Sequence, residues 1–277
     1  MGLLLCGLMG CLLLRAETTM NAASAACRLF VTAVLPGLFP YMVLSLMAVS
    51  RVKRPSPLLA MLLGWGGGSP TGARLLPLCA DLSRQEQVRL AVSCATMSPM
   101  FLLGTVGGWL ESGVAGVVCL VSVITGGWIA GWLAGMCAGR STNDRPYGGH
   151  TAMQALPFGA AVEASARTML LVCGTMVMLR VFAALAAEVL PHALILPVTT
   201  LLEVTTGAVE IAHLPQPLML RTALIAGATG FGGMAIIMQN RAVYPADFLL
   251  LGQQVLWQAV HGGISFLLAL GMMWLVC

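Results

Sequence analysis

The segment that decides the fold is Gly-Trp-Gly-Gly-Gly-Ser-Pro-Thr-Gly at residues 64–72, which interrupts the apolar stretch from Leu58 to Ala80. Five glycines and one proline within nine residues cannot continue a helix. Non-helical backbone at membrane depth is tolerated only where it is buried in protein or lines water. The segment therefore predicts a re-entrant hairpin that enters from the cytoplasmic side and returns to it.

The composition of the chain places this hairpin in a membrane protein. Of the 277 residues, 58% are hydrophobic and 9% are charged, and the mean hydropathy is +0.92. A soluble domain carries about 25% charged residues, so this chain lacks the charged surface that a water-soluble fold of its size needs. Its apolar content also excludes disorder. The sequence predicts an all-α polytopic membrane protein, and the lipid bilayer is its expected partner.

Charge and apolar length together predict the course of the first half. Arg51, Lys53 and Arg54 mark the cytoplasmic side, because basic loop residues are retained there, and Glu111 marks the outside. The predicted segments are a short membrane helix over Met1–Leu14, an amphipathic interfacial helix over Glu17–Val34, a span over Pro36–Ser50, the hairpin, a span over Leu90–Leu110 broken at Ser98-Pro99, and a span over Val114–Ala138.

The second half repeats this order with the opposite orientation. Its predicted segments are an amphipathic helix over Leu156–Arg167, a span over Thr168–Leu190, a hairpin over Leu194–Ala212 broken at Glu203–Gly207, a span over Pro217–Asn240 weakened at Gly227–Gly233, and a span over Phe248–Val276. The chain is thus predicted to form one membrane domain over residues 1–277, with a first repeat at 17–138, a cytoplasmic linker at 139–155 and an inverted second repeat at 156–276.

Paired breaks in two inverted repeats are typical of secondary transporters, whose binding sites lie at the membrane midplane between discontinuous helices. The alternative is that the glycines only allow helices to pack closely. Close packing accounts poorly for the run of residues 66–70 but well for six other glycines, which are Gly104, Gly107, Gly108, Gly126, Gly127 and Gly131.

Ionisable residues within apolar segments are costly and therefore candidates for function. Glu203, inside the second break, is the candidate for binding a coupling proton or Na⁺. Arg74 either binds an anion beside a half-helix amino terminus or extends to the cytoplasmic surface. Arg180 needs a partner, for which Glu203 and Glu188 are the predicted choices. His261 is either a packed side chain or a proton relay.

Other function classes find little support. The chain has no nucleophile elbow, no HExxH motif and no phosphate-binding loop, so we expect no enzyme and no cofactor. The nine cysteines form no CxxC pair or zinc spacing, which predicts reduced packing residues and no metal. No large basic cluster is present, so nucleic acid is not an expected partner.

Four motifs in order resemble the sporulation integral membrane proteins of the YlbJ type, which belong with the nucleoside-recognition (gate) domain proteins. They are Leu38–Ser45 followed by Gly64–Arg74, then Cys94–Gly104, then Leu201–Gly207, and finally Phe231–Gly233. The likeness covers nearly the whole chain. It departs from the family at Ala95–Pro99, where the family tends to have Asn-rich polar residues.

The resemblance implies a bacterial membrane transporter of endospore formation, in the mother-cell or outer forespore membrane, with dipicolinate as the proposed small organic anion. The implied site consists of Gly68, Ser69, Pro70, Gly72 and Arg74 in the first half and Glu203, Thr205, Thr206, Gly207, Gly232 and Gly233 in the second. A nucleoside-type carrier would depend instead on polar groups such as Thr96, Ser98 and Thr205. A non-transporting scaffold for spore-envelope assembly is the other alternative, and a homo-oligomer stays open.

Overall fold

The computed structural model describes residues 2–52, 56–76, 82–138, 155–244 and 248–276. Within these ranges the chain is helical and contains no β-strand. Helices long and apolar enough to cross a membrane are Ala16–Ser50, Gly113–Cys137, Phe158–Ala187, Leu218–Arg241 and Leu251–Val276. The prediction of an all-helical polytopic membrane protein is confirmed at this level. Most of the predicted linker 139–155 lies outside the described residues.

The amino-terminal region contains helix α1 (Gly2–Leu14) and the long helix α2 (Ala16–Ser50). The predicted separation of an interfacial helix from a span at Pro36 is wrong, because α2 is continuous. Pro36 lacks an N–H and would clash with the carbonyl one turn earlier. A π-helical turn at Phe30–Val34 lies just before it and absorbs this misfit without ending the helix.

The remainder of the first half consists of α3 (Pro57–Gly67), α4 (Thr71–Leu75), α5 (Arg84–Ser93), α6 (residues 99–109) and α7 (Gly113–Cys137). Serine caps begin three of them: Ser56 for α3, Ser83 for α5 and Ser112 for α7. At α5, hydrogen bonds from the side chain and backbone N–H of Ser83 hold the pKa of Glu86 below its usual range.

The second half contains α8 (Phe158–Ala187), α9 (His192–Leu202), α10 (Val204–Ala212), α11 (Leu218–Phe231), α12 (Gly233–Arg241) and α13 (Leu251–Val276). The predicted amphipathic helix Leu156–Arg167 is not a separate element, because α8 runs through it. No proline interrupts α8 after Pro157, so nothing in the backbone ends the helix at Arg167.

Helices α2 and α8 pack against each other in antiparallel orientation. At one end Glu188 pairs with Arg15 at 3.0 Å and accepts a hydrogen bond from the Thr18 hydroxyl at 2.7 Å. At the other end the Leu156 N–H donates to the Ser50 hydroxyl at 2.9 Å. The first long helices of the two halves, α2 and α8, therefore run in opposite directions.

Oxidation is expected to link Cys27 of α2 to Cys173 of α8, because the two thiols lie close enough to interact across this antiparallel pair. Both cysteines are free in the structure. Treatment with copper phenanthroline, followed by digestion and mass spectrometry, should yield a Cys27–Cys173 peptide, while the exposed Cys137 stays available to alkylation as the internal control. Complete alkylation of Cys27 after oxidation, with no linked peptide, would contradict the register of α2 against α8.

Glycines allow α5, α7, α11 and α13 to approach closely. A Cβ on Gly127 of α7 would lie 3.1 Å from the His261 ring of α13, and one on Gly131 would collide with Ser93 of α5. Close packing thus accounts for Gly126, Gly127 and Gly131 of α7, as expected. On α6 the same expectation is wrong for Gly104 and Gly108, because a Cβ on either would meet no atom within 4 Å.

Candidate functional site

The first break forms a tip, Gly68–Pro70, between α3 and α4. The Ser69 N–H donates to the Thr96 carbonyl at 2.7 Å, which ties the tip to the break between α5 and α6. The Ser69 hydroxyl donates to Oδ1 of Asn240 at 2.7 Å, and both residues are buried. This second bond joins the tip of the first half to α12 of the second half.

The second break is a single residue, Glu203, between α9 and α10. Its side chain is buried, with 1% of the residue exposed. One carboxylate oxygen accepts the Thr205 N–H at 2.9 Å and the other accepts the Thr206 N–H at 2.7 Å. The carboxylate therefore caps α10, and both these donors and the helix dipole stabilise its negative charge.

The break between α11 and α12 packs against the backbone on either side of Glu203, which we call the second tip. Gly232 and Gly233 both have positive φ values, 78° and 69°, which glycine adopts without strain. A Cβ on Gly233 would lie 3.3 Å from the carbonyl oxygens of Thr200 and Leu201, at the end of α9. The carbonyl end of α9 thus faces the amino-terminal end of α12, an arrangement of opposite partial charges.

A small cavity, which we call the tip cavity, lies between the two tips. Its polar lining comes from Ser69, Glu203, Thr205 and Gln239, and its apolar walls include Phe101 of α6 and Met176 of α8. The volume open to the centre of a water molecule is about 20 Å³, which is enough for one ordered water. An aromatic dicarboxylate does not fit in this arrangement of the helices.

The sequence-predicted site residues lie in several places around this cavity. Ser69, Glu203 and Thr205 line it. Thr206 lines a different cavity, described below with Arg28. Thr96 and Ser98 are buried in the α5–α6 break, where the Ser98 hydroxyl accepts the Phe101 N–H at 3.2 Å.

Several other predicted residues shape the backbone around the cavity. Pro70 precedes α4, and Gly72 lies against Cys94, so that a Cβ there would collide with the cysteine side chain. Gly207 lies against Thr200, which holds α10 close to α9. Arg74 is directed away from the tip cavity, since its guanidinium donates to the Ala164 carbonyl of α8 at 3.2 Å.

The structure shows what Arg180 and His261 contact. Arg180 pairs with Glu210 at 3.3 Å, so the expectation that Glu203 or Glu188 would be its partner is wrong. Glu203 is satisfied by its own helix, and Glu188 by Arg15. His261 is fully buried, and its Nε2 contacts the Val123 carbonyl at 2.8 Å, while its Nδ1 has no hydrogen-bond partner among the described residues.

Sequence reasoning missed Gln239 and Asn240. Both are buried at the end of α12, where Gln239 lines the tip cavity and Asn240 holds Ser69. A second small cavity, lined by Asn240, Gln254 and Gln258, lies on the other side of this contact. The available signal was two adjacent amide side chains directly after an apolar run, but this pattern also indicates the polar end of a membrane span.

Breaking the Ser69–Asn240 contact is expected to destabilise the protein. Asn240→Ala leaves the buried Ser69 hydroxyl without its acceptor, at a cost of about 1–3 kcal/mol, whereas the exposed Gln216→Ala should change stability by less than about 0.5 kcal/mol. Thermal unfolding in detergent measures both. In a double-mutant cycle, Ser69→Ala and Asn240→Ala should be non-additive, and strict additivity would contradict the contact.

No protein family model matches this chain, and neither a curated protein nor a solved structure is detectably similar to it. Among the residues that the structure describes, no group of three or more His, Cys, Asp and Glu side chains could hold a metal ion. The helices and their apolar lengths define the class: a multi-pass helical protein of the lipid bilayer.

Proposed function

We propose that this protein is a secondary carrier of a small organic anion, built from two inverted repeats with re-entrant hairpins. Each half has the same order of elements: a long helix, two short helices meeting at a break, a broken helix and a second long helix. The long helices α2 and α8 are antiparallel, so the first hairpin starts at the Ser50 end of this pair and the second at the Glu188 end. Opposed hairpins of this kind build transporter sites at the midplane.

The observation that carries the proposal is the tip cavity, where polar groups of both halves meet inside an apolar protein. Ser69 comes from the first hairpin, Glu203 from the second, and Gln239 from the broken α11–α12 segment. Buried polar groups of this kind are expensive in a membrane and mark substrate or ion paths. At about 20 Å³ the cavity is closed to a substrate, so transport requires the two tips to separate.

The resemblance to YlbJ-type proteins supplies the proposed substrate, dipicolinate, and the proposed setting, endospore formation in a bacterium. Glu203 is the proposed coupling residue for a proton or Na⁺. The Ala95–Pro99 departure from the family lies beside the first tip, since Thr96 accepts the Ser69 N–H. If the substrate differs from that of the family, the difference is therefore expected to arise from the residues of this α5–α6 break.

Uptake of labelled dipicolinate into proteoliposomes tests the proposal. Purified wild-type protein should accumulate the label above protein-free liposomes and respond to an imposed proton or Na⁺ gradient. Labelled nucleoside in parallel distinguishes the nucleoside-type alternative. Folded, monodisperse protein that moves neither solute in either gradient would contradict both named substrates and leave a carrier of a different substrate or the scaffold.

A further inference from the structure

A third and much larger cavity, which we call the Arg28 vestibule, opens between α2, α8 and α10. The volume that it leaves open to the centre of a water molecule is about 460 Å³, within the range of small-molecule sites. The polar lining consists of Asn21, Ser24, Arg28, Arg180, Thr206 and Glu210. Its position lies on the Glu188 side of the tips, since α10 returns from Glu203 toward Ala212.

Two guanidinium groups face one carboxylate in this vestibule. Arg180 contacts Glu210 through a single Nη1–Oε1 pair at 3.3 Å, which leaves its other N–H groups available. Among the described residues, no carboxylate lies within ion-pair distance of Arg28. The vestibule therefore carries one positive charge in excess.

Arg28 lies at the far end of the candidate span from Ser50. It is 22 residues before Ser50 on the continuous helix α2, or about 33 Å, which is close to the thickness of the hydrocarbon core. Its side chain is exposed and lines the vestibule. The guanidinium is therefore open to an anion that enters the vestibule from the aqueous side.

We infer that the Arg28 vestibule binds the carboxylate of a small organic anion before the anion reaches the hairpin tips. Guanidinium groups suit carboxylates because their N–H donors match the two oxygens. Thr206 connects the two places: it lines the vestibule, and its N–H holds the carboxylate of Glu203. The binding site stands on the vestibule's own geometry, whereas its role as the access site rests on the proposed carrier function.

A phospholipid headgroup offers a related anionic chemistry. The vestibule favours the soluble carboxylate, because the cavity extends inward to Thr206 on α10 instead of following the outer face of α2 alone. The source of the anion is nevertheless decided by experiment.

Ligand-dependent thermal unfolding of the full chain in detergent tests the inference. Benzoate, picolinate and dipicolinate are compared with the neutral picolinamide and with added phosphatidylglycerol, since a ligand raises stability in proportion to ln(1 + [L]/Kd). The variants are Arg28→Gln and, as the matched control, Arg167→Gln. Arg167 is an exposed arginine on α8 paired with Glu163 at 2.8 Å, so the control also removes one positive charge.

At least one carboxylate should stabilise wild type and Arg167→Gln, with an apparent Kd about tenfold or more weaker in Arg28→Gln. Picolinamide should have no effect. Equal stabilisation by the amide, an unchanged Kd in Arg28→Gln, stabilisation by phosphatidylglycerol alone, or no stabilisation by any carboxylate would each overturn the inference.

Uptake measured on the same proteins separates the two proposals. Carboxylate binding that depends on Arg28, without uptake by wild type, would leave the vestibule site standing and remove the carrier function. Uptake that is equal in wild type and Arg28→Gln would leave the carrier function standing and remove the vestibule as its access site. The paired result expected is uptake with a KM raised about tenfold in Arg28→Gln and unchanged in Arg167→Gln.

Discussion

Gly68→Ala is expected to abolish the recovery of folded protein. Gly68 adopts φ 65° and ψ −174°, a conformation essentially restricted to glycine, and an alanine there costs about 1–3 kcal/mol in backbone strain. The added Cβ would also lie 2.6 Å from the backbone nitrogen of Ser98 and 3.0 Å from its Cα. Both atoms belong to the α5–α6 backbone, which cannot rotate away as a side chain could.

The control for this prediction is Gly174→Ala on α8. A Cβ on Gly174 meets no atom within 4 Å, and its backbone is helical, so alanine should be neutral or stabilising by up to about 1 kcal/mol. Size-exclusion chromatography of detergent extracts measures the monodisperse yield of both variants. Recovery of Gly68→Ala at the wild-type yield would show that the first tip does not pack against the α5–α6 break.

The locations of the breaks could be predicted from the sequence, because glycine and proline act locally. The run at residues 64–72 does contain the first tip, although α3 continues to Gly67 and the interruption is only Gly68–Pro70. The second predicted break, Glu203–Gly207, narrows to Glu203 alone. Threonine and valine continue a helix once a carboxylate caps its first turn, and the residue pattern gave no sign of that cap.

Side-chain partners could not be predicted, because they depend on how distant segments meet. Arg180 pairs with Glu210 and not with the two carboxylates proposed for it, since the return of α10 brings Glu210 alongside α8. Arg74 follows the glycine-rich tip closely in sequence, but its guanidinium contacts Ala164 of α8. Asn240 and Ser69 are 171 residues apart, and nothing in the spacing of either residue points to the other.

Replacing Glu203 by asparagine is expected to lower uptake by at least about tenfold and to remove its dependence on the driving gradient, whereas Glu203→Asp retains both. The two variants differ in charge and share the ability to cap a helix, because Asp and Asn are equally good N-cap residues. A buried carboxylate can exchange a proton or Na⁺ during transport, and a neutral amide cannot. Uptake in proteoliposomes, with and without a gradient, measures the difference.

The paired design is needed because Glu203 also caps α10, with both carboxylate oxygens bound to N–H groups. Glu203→Gln would change the cap and the charge together, because Gln is not among the side chains that cap helices well, whereas Asn keeps one accepting oxygen at capping distance. Glu203→Ala removes the cap altogether and should lower stability by about 0.5–2 kcal/mol. If Glu203→Asn and Glu203→Asp unfold at the same temperature, a difference between their uptake rates reports the charge. Equal, gradient-dependent uptake in these two variants would reduce Glu203 to a helix cap and move the coupling site elsewhere in the protein.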